Sequence, residues 1–255
     1  MKWYCFLHYQ SGFMAEFDLS TARENRLLAS LPAHDLERIA STLEPVALTR
    51  GQTIYNEGTT IDHVYFPTGV LISLVASMQD GTVVEVAVVG REGMVGLPLA
   101  LGAETSPRKA VAQAPGSALR LSAERFRREM LNGGALTDRL KRYTMVHLTQ
   151  TTQWVACNRL HSLEERLARW LLASADATGS EQFELTQDFI AQMLGVRRPS
   201  VTVIVRSFQK EGMVQTSRGR IRISNRAALE RAVCECYGFV RRAIDSAIPF
   251  EPSRS

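Results

Sequence analysis

The chain has 255 residues, of which 45% are hydrophobic and 22% are charged, and its formal net charge is +4. These are the proportions of a globular protein that is long enough for two modest domains with their own cores. No apolar run approaches the roughly twenty residues that cross a bilayer, and no export signal is recognisable. We therefore expect a cytoplasmic protein without a membrane segment.

The charge is unevenly distributed along the chain. Residues 1–133 carry twelve Lys/Arg and fourteen Asp/Glu, whereas residues 134–255 carry eighteen and twelve, so the halves have net charges of −2 and +6. This asymmetry points to nucleic-acid contact in the C-terminal half. Charge alone leaves open the alternative of a solvated basic surface.

The four cysteines are Cys5, Cys157, Cys234 and Cys236. Their spacing matches neither a disulfide framework nor a zinc or iron–sulfur ligand set, because Cys234 and Cys236 lack a second pair at ligand spacing. We predict reduced thiols and no bound metal, with a redox role for the pair Cys234/Cys236 as the alternative.

The first elements predicted along the chain are a short extension and a helical region. The opening segment is apolar but interrupted by His8 and Gln10, and we interpret it as an extension, with Met14 as an alternative start. Helical periodicity then covers Asn25 to Leu43, with a break at Pro32.

A β-rich region follows, in which Gly, Asp-Gly and Pro-Gly turns separate short runs of β-forming residues. Asp80-Gly81 between two apolar runs predicts a hairpin. The predicted strands cover residues 46–48, 53–55, 63–66, 70–78, 83–89, 110–113 and 118–121. Many short strands with turn residues between them predict a sandwich or barrel.

A long helix is predicted next, from Leu136 to Asn158, because this stretch contains neither Pro nor Gly. Its apolar or stacking side chains recur every three or four residues, as in a coiled-coil seam. The predicted dimer interface consists of Leu140, Tyr143, His147, Thr151 and Trp154. A helix packed on its own domain is the alternative. Ser162 and Glu165 form a capping box that begins another helix.

Residues 185–223 predict a helix, a tight turn, a second helix and a two-stranded basic wing. Thr186 is placed to cap the first helix, Gly195 supplies the turn, and Pro199 lies where the second helix can begin. Between residues 197 and 226 there are eight Lys/Arg against one acidic residue. An amphipathic helix whose outer face is small, polar and cationic suits a DNA major groove.

This order of elements, over residues 25–237, resembles the Crp/Fnr family of bacterial transcription regulators. The resemblance implies an α+β chain with an N-terminal double-stranded β-helix, which is a jelly-roll of the cyclic-nucleotide-binding type, then a long dimerisation helix and a C-terminal winged helix-turn-helix. The expected divisions are an N-terminal extension (1–24), a sensor β-roll (25–134), a dimerisation helix (135–158), a winged helix-turn-helix (159–237) and a C-terminal tail (238–255).

The resemblance also implies which residues contact DNA. The family's arginine near the start of the second helix matches Arg198, but its following glutamate matches Pro199 and a later arginine matches Val203, which implies an unfamiliar half-site. Val203 would face a thymine methyl group, and the wing tip would lie on the phosphate backbone. The predicted DNA-binding residues are Thr186, Arg197, Arg198, Ser200, Thr202, Val203, Arg206, Arg218 and Arg220.

In family members that bind a cyclic nucleotide, a Gly-Glu pair holds the ribose and an Arg-Ser pair holds the phosphate. Arg108 matches the phosphate-binding arginine, but Met94 stands where the glutamate is expected and Lys109 replaces the serine. Because methionine cannot accept a hydrogen bond from a ribose hydroxyl, cyclic AMP is disfavoured; a small anionic effector and a vestigial pocket both stay open. The predicted effector residues are Glu92, Gly93, Met94, Arg108, Lys109, Thr151 and Thr152. Neither an iron–sulfur cluster nor haem is expected.

The sequence thus predicts a homodimeric regulator that binds a palindromic site in double-stranded DNA. The alternative is a cyclic-nucleotide-type regulatory module that controls a protein partner. An enzyme is not indicated, because no catalytic set of residues has credible spacing, and we interpret Glu85 and Glu92 as outward-facing strand and turn residues. An activator would also contact RNA polymerase, and no motif identifies such a patch.

Overall fold

A computed structural model describes residues 19–217 and 219–249. Three features named above lie outside these residues: residues 1–18 of the predicted extension, with Cys5 and Met14, the wing-tip residue Arg218, and the last six residues. The described part of that extension is wrong, because Leu19–Arg23 form a helix whose Ala22 is fully buried in the core of the roll.

The N-terminal domain is a roll of seven strands with short helices around it. Its helices are α1 (Leu19–Arg23), α2 (Arg26–Ala29), α3 (Ala33–Ala40), α4 (Leu97–Ala100) and α5 (Ala123–Asn132). Its strands are β1 (Glu44–Leu48), β2 (Thr53–Tyr55), β3 (His63–Pro67), β4 (Ile72–Ser77), β5 (Val83–Val89), β6 (Lys109–Ala112) and β7 (Gly116–Ser122). They form two antiparallel sheets, of order β1–β7–β3 and β2–β6–β4–β5.

The predicted strands all occur, because the turn residues interrupt pairing where the sequence places them. Gly81 has a φ of +82° in the turn that joins β4 to β5, a conformation open to glycine and costly for other residues. Phe66 and Phe126 fill the centre of this domain, and both are fully buried.

The C-terminal part is mainly helical. It comprises α6 (Ala135–Leu160), α7 (Leu163–Thr178), β8 (Gln182–Phe183), α8 (Gln187–Leu194), α9 (Arg198–Lys210), β9 (Val214–Ser217), β10 (Arg220–Ile223), α10 (Arg226–Ala232) and α11 (Glu235–Ala247). The capping box at Ser162 begins α7, and Thr186 caps α8 by accepting a hydrogen bond from the Phe189 amide. Gly195 ends α8 with a φ of +66°.

The wing has one strand more than predicted. Its sheet has the order β8–β10–β9, in which the two residues of β8 pair with Ile221 and Arg222. A strand of two residues is too short to show the alternation by which strands are recognised in a sequence.

The C-terminal tail expected from residue 238 is wrong within the described residues, because α11 continues through it to Ala247. Cys236 and Val240 are buried and lie one turn apart on one face of α11, and Ile248, directly after the helix, is buried in the core of the roll. This face packs against α6.

The predicted dimer stripe on α6 is also wrong, because it faces the chain's own interior. Leu140 and Tyr143 belong to the core of the roll, and the Trp154 ring lies 4.4 Å from the Arg169 guanidinium. His147 and Thr151 are half-buried. The spacing of these residues identified one face of a helix correctly, but spacing alone does not say which partner covers that face.

The apolar side chains that α6 leaves exposed lie on a different face. Met145, Leu148 and Val155 are 60%, 53% and 69% exposed. Within residues 19–217 and 219–249, no helix combines the length and apolarity needed to cross a membrane.

Candidate functional site

The second helix of the helix-turn-helix, α9, has one buried and one exposed face. Val201, Val205 and Phe208 are fully buried and anchor it to the domain core. Val203, on the opposite side, is 69% exposed, and Arg206 beside it is exposed as well. An exposed valine among cations has no packing role in the chain, so this surface is available to a partner.

The start of α9 is held against the start of α8. Thr202 donates a hydrogen bond to the Gln187 side-chain oxygen at 2.6 Å, and an Arg198 guanidinium nitrogen lies 3.4 Å from an Asp188 carboxylate oxygen. Arg198 and Asp188 are both largely exposed, so their pairing contributes little to stability and leaves Arg198 accessible. Of the other predicted residues on α9 and its N-cap, Arg197 and Ser200 are exposed.

Thr186 contacts the N-terminal roll. Besides capping α8, its hydroxyl oxygen accepts a hydrogen bond from an Arg50 guanidinium nitrogen at 3.2 Å. The Arg50 guanidinium also lies 6.0 Å from the centre of the Phe189 ring. In this arrangement α8 is docked on the roll, so Thr186 is partly engaged within the chain.

The basic residues of the wing differ in their partners. Arg220 forms an exposed ion pair with Glu184 at 2.9 Å, whereas Arg222 is exposed on the same strand. Arg226 instead joins a network with three acidic residues and a tyrosine, Asp176, Glu181, Glu230 and Tyr237. Burial lowers the pKa of Arg226, but the hydrogen bond to Glu181 and the charge of Asp176 outweigh this effect and hold the pKa above its usual value. Arg226 therefore stabilises the packing of α7, α10 and α11. Because its guanidinium is engaged in these contacts, it is not available to bind DNA.

The predicted effector residues on the roll are mostly engaged in contacts within the fold. Met94 is buried in the core, and a Cβ atom on Gly93 would lie 2.1 Å from the Tyr143 ring, so this turn packs directly against α6. Glu92 is buried and accepts a hydrogen bond from the Gly90 amide at 2.9 Å. Burial raises the pKa of Glu92. Its interpretation as an outward-facing turn residue is wrong.

The remaining predicted effector residues are distributed along other elements. Arg108 is exposed and donates a hydrogen bond to the Pro107 carbonyl, and Lys109 is half-buried at the start of β6. The hydroxyls of Thr151 and Thr152 donate hydrogen bonds to carbonyls one turn earlier on α6.

A cleft of about 510 Å³ lies between the end of β5 and helices α6, α7 and α11. Its lining includes Arg91, Gln150, Arg169 and Asp176. Of the seven predicted effector residues, all of them described, Glu92 alone lines it.

Glu85 is a domain-contact residue that sequence reasoning missed. It is buried on β5 and accepts hydrogen bonds from Ser73, Gln113 and Trp170, the last at 3.1 Å from α7. Burial raises the pKa of Glu85 to about 7, although these hydrogen bonds and the nearby Arg169 oppose the rise. The signal was the run VVEVAVV, because a strand that is apolar without alternation is covered on both faces. The outward-facing interpretation of Glu85 is wrong.

Three of the cysteines also lie together, contrary to expectation. Cys157 near the end of α6 and Cys234 and Cys236 at the start of α11 are buried, and their sulfur atoms and a ring nitrogen of His161 all lie within 4.8 Å of one another. Sequence spacing could not show this, because the fold joins residues 157 and 161 to residues that are more than seventy positions away.

Two family models match the chain. One describes the cyclic nucleotide-binding domain and matches residues 45–132, and the other describes the Crp-like helix-turn-helix domain and matches residues 165–232. A curated relative, the CRP-like cAMP-activated global transcriptional regulator of Mycobacterium tuberculosis, is 23% identical over 203 residues, which are 76% of this chain and 89% of that protein.

Solved structures share the fold. FixK2 from Bradyrhizobium japonicum is similar with a TM-score of 0.64 and 16% identity, covering 75% of this chain and 98% of that one. A CRP-family transcriptional regulator from Thermus thermophilus has a TM-score of 0.60 and 23% identity, covering 73% and 95%. A Crp/Fnr-family regulator from Eubacterium rectale has a TM-score of 0.59 and 20% identity, covering 81% and 96%.

The β-roll, the central helix and the exposed helix-turn-helix define a two-domain DNA-binding transcription regulator. The chain belongs to the Crp/Fnr family.

Proposed function

We propose that the chain acts as a homodimer that binds a palindromic DNA site, with one α9 helix in the major groove of each half-site. The observation that carries this proposal is the exposed apolar face of α6. In a chain whose large apolar side chains are mostly buried, this face calls for a covering partner.

The spacing on that face suits a second copy of the same helix. Met145, Leu148, Thr152 and Val155 follow intervals of three, four and three residues, which is the a/d repeat of a coiled coil. All four are exposed. A two-fold axis along this seam would relate the two helix-turn-helix units, and a palindromic site has the same symmetry.

The exposed side chains of α9 indicate how each half-site is read. Arg198 can reach guanine O6 and N7 through two parallel hydrogen bonds, and Val203 can contact a thymine methyl group. Arg197, Ser200 and Arg206 supply phosphate or base contacts around them. The half-buried Thr202 would contribute by exchanging its hydrogen bond to Gln187 for one to DNA. Arg220 on the wing supplies affinity and register through the phosphate backbone.

The effector that we propose is a small anion bound by the sensor domain, which is supported by the match to the cyclic nucleotide-binding domain. Cyclic AMP itself is disfavoured, because the buried Met94 offers no acceptor to a ribose. The ligand would act by favouring one of two arrangements of the docked domains, which requires different affinities for the two. Calorimetric titration with cyclic AMP is expected to show no saturable binding.

The test of the dimer is selection of bound sequences from random DNA with the purified full chain. We expect an inverted repeat whose half-sites are centred about one helical turn apart, with two chains on each DNA and an affinity that falls steeply with salt. An asymmetric site occupied by one chain would overturn the proposal. Failure to bind any DNA would favour the alternative of a module that controls a protein partner.

A matched pair of variants locates the interface. Leu148→Glu puts a charge into the proposed seam and is expected to give a monomer that loses the palindromic site. Leu131→Glu changes a leucine on α5 that is 87% exposed and lies off the seam, and it is expected to leave the dimer intact. Mass photometry with and without DNA distinguishes the two.

A further inference from the structure

We propose that Cys157, His161, Cys234 and Cys236 form a tetrahedral Zn²⁺ site that fastens the start of α11 to the end of α6. Three sulfur ligands and one nitrogen ligand are a set typical of structural zinc sites. The site lies next to the junction between α6 and the DNA-binding domain, since His161 directly follows the last residue of α6.

The interatomic distances match a single ion. The sulfur atoms of Cys157 and Cys234 are 3.6 Å apart, and the Cys236 sulfur is 3.6 Å from Nδ1 of His161. Ligands about 2.0–2.3 Å from a tetrahedral zinc ion lie roughly 3.5–3.8 Å from one another. A disulfide would need sulfur atoms about 2.05 Å apart. All four ligand atoms lie within 4.8 Å of one another, so ion binding would require the more distant of them to approach by about 1 Å.

The histidine is oriented as a metal ligand. Its Nδ1 faces the cysteines, while its Nε2 lies 3.3 Å from a carboxylate oxygen of Glu235. Histidines that bind metal commonly donate their other ring N–H to a carboxylate, which fixes the tautomer and the direction of the ring. The Gln153 side-chain amide also donates a hydrogen bond to the Cys236 sulfur at 3.1 Å.

The charge around the cluster suits thiolate ligands. Three thiolates, one neutral imidazole and Zn²⁺ together carry one negative charge. Arg166 and Arg169 on α7 have buried guanidinium N–H groups that lack hydrogen-bond partners among the described residues. Both interact electrostatically with Cys157. A buried cation with unpaired donors is stabilised by a negative charge nearby.

All four positions of the tetrahedron are filled by protein atoms, so the ion would have a structural role. Its ligands come from two places that are far apart in sequence, and binding would hold α11 on α6 and stiffen the short connection between α6 and α7. The binding free energy would then appear as stability of the C-terminal part.

The test uses the reduced full-length protein, freed of metal with a chelator and titrated with Co²⁺, which reports tetrahedral thiolate coordination by its intense visible absorption. We expect saturation at one equivalent, displacement by Zn²⁺, and one zinc per chain by elemental analysis of the protein as purified. Neither measurement involves DNA, so their outcome is independent of the dimer and its operator.

Substitutions distinguish the proposed metal ligands from Glu235, which orients the ligand His161. Cys157→Ser and His161→Gln are expected to abolish stoichiometric binding, whereas Glu235→Gln is expected to weaken zinc affinity about 10–100-fold, because it changes only the partner of the ligand. His34→Gln, at an exposed histidine outside the cluster, is the control and should bind as the wild type does.

Two results would overturn the proposal. One is a Co²⁺ titration of the wild-type protein that gives no saturable tetrahedral spectrum. The other is loss of two free thiols in air, with mapping of a Cys157–Cys234 disulfide and no bound metal, which would assign the cluster to redox chemistry. If a ligand variant fails to fold, the wild-type titration and Glu235→Gln still decide the question.

Discussion

Two valines of α9 that are two positions apart, Val203 and Val205, have opposite roles. Val205 is fully buried and packs in the core of the DNA-binding domain, whereas Val203 is exposed and contributes no burial to the fold. The side chains are chemically identical, so the difference arises only from the direction that each takes from the helix axis.

We expect Val203→Ala to change the free energy of unfolding by less than about 0.5 kcal/mol, because surface substitutions have small effects. Val205→Ala should lower it by about 2–3 kcal/mol through lost burial and a cavity. Urea unfolding measures both. On DNA, Val203→Ala should weaken the preference for thymine at one position of the half-site. A stability loss equal to that of Val205→Ala would contradict the assignment.

Glu85 is a second residue whose role depends on its surroundings. Its carboxyl is buried between the domains, and burial raises its pKa to about 7 from the usual 4.5. The folded state therefore binds this proton more tightly than the unfolded state. The stabilisation by that proton is fully present below pH 4.5, decreases as the pH rises, and is lost above about pH 7. Its size is about 3 kcal/mol.

Glu85→Gln removes the titrating group, so the unfolding free energy of the variant relative to the wild type should rise between pH 5 and pH 8. Comparing the two proteins at each pH cancels the other groups that titrate in this range. Glu44→Gln is the control, because the hydrogen bond to Arg120 lowers the pKa of Glu44 and places its titration below this range. A constant difference between Glu85→Gln and the wild type would show that Glu85 is charged throughout.

The basic residues on strand β10 and on helix α10 differ in whether acidic side chains within the protein already bind them. Arg222 lies exposed on β10, while Arg226 at the start of α10 bonds to Asp176 and Glu181 on two other segments and to Glu230 on α10 itself. A run of arginines in the sequence gives no indication of this division.

Arg226→Ala is expected to lower the free energy of unfolding by about 2 kcal/mol, since it leaves partly buried carboxylates without their cation. Arg222→Ala should leave stability unchanged within about 0.5 kcal/mol and lower DNA affinity for all sequences alike. Thermal unfolding and binding to random DNA measure the two effects. If Arg222→Ala were the more destabilising change, the ion-pair network would not have the proposed role.

In the whole molecule, the DNA-binding domain is docked on the roll, and the two backbones approach each other very closely where β5 meets α7. A Cβ atom on Gly90, at the end of β5, would lie 2.3 Å from the Ala177 side chain and 2.5 Å from its carbonyl oxygen on α7. Backbone atoms cannot move aside as the end of a long side chain can.

Gly90→Ala should therefore separate α7 from the roll and expose the junction to proteolysis, with a clear loss of stability. Gly238→Ala, inside α11, is the control: the nearest atom to its added Cβ is the flexible end of Arg242, and alanine favours a helix by about 0.5–1 kcal/mol over glycine. Limited proteolysis and thermal unfolding compare the variants. Equal resistance of Gly90→Ala and the wild type would mean that this docking is not maintained in solution.

Several elements could be predicted because their signals are local. Thr186, Ser162 and Gly195 begin or end helices through their own hydrogen bonds and backbone conformation, so neighbouring residues suffice to place them. The strands of the roll were found for the same reason, since turn residues limit each of them. The exposed outer face of α9 also followed from its period.

The amino-acid sequence was sufficient to predict the two domain types, most of their elements and the exposed outer face of α9. Other features depend on long-range contacts. They are the choice of the buried face of α6, the burial of Glu85 and Glu92, the ion pairs of Arg226, and the proximity of Cys157 to Cys234. The physical reason is that local hydrogen bonding and periodicity act between near neighbours in the sequence. The partner of a side chain, and with it the burial, charge and pKa of that side chain, depends on residues that the fold brings from a distance.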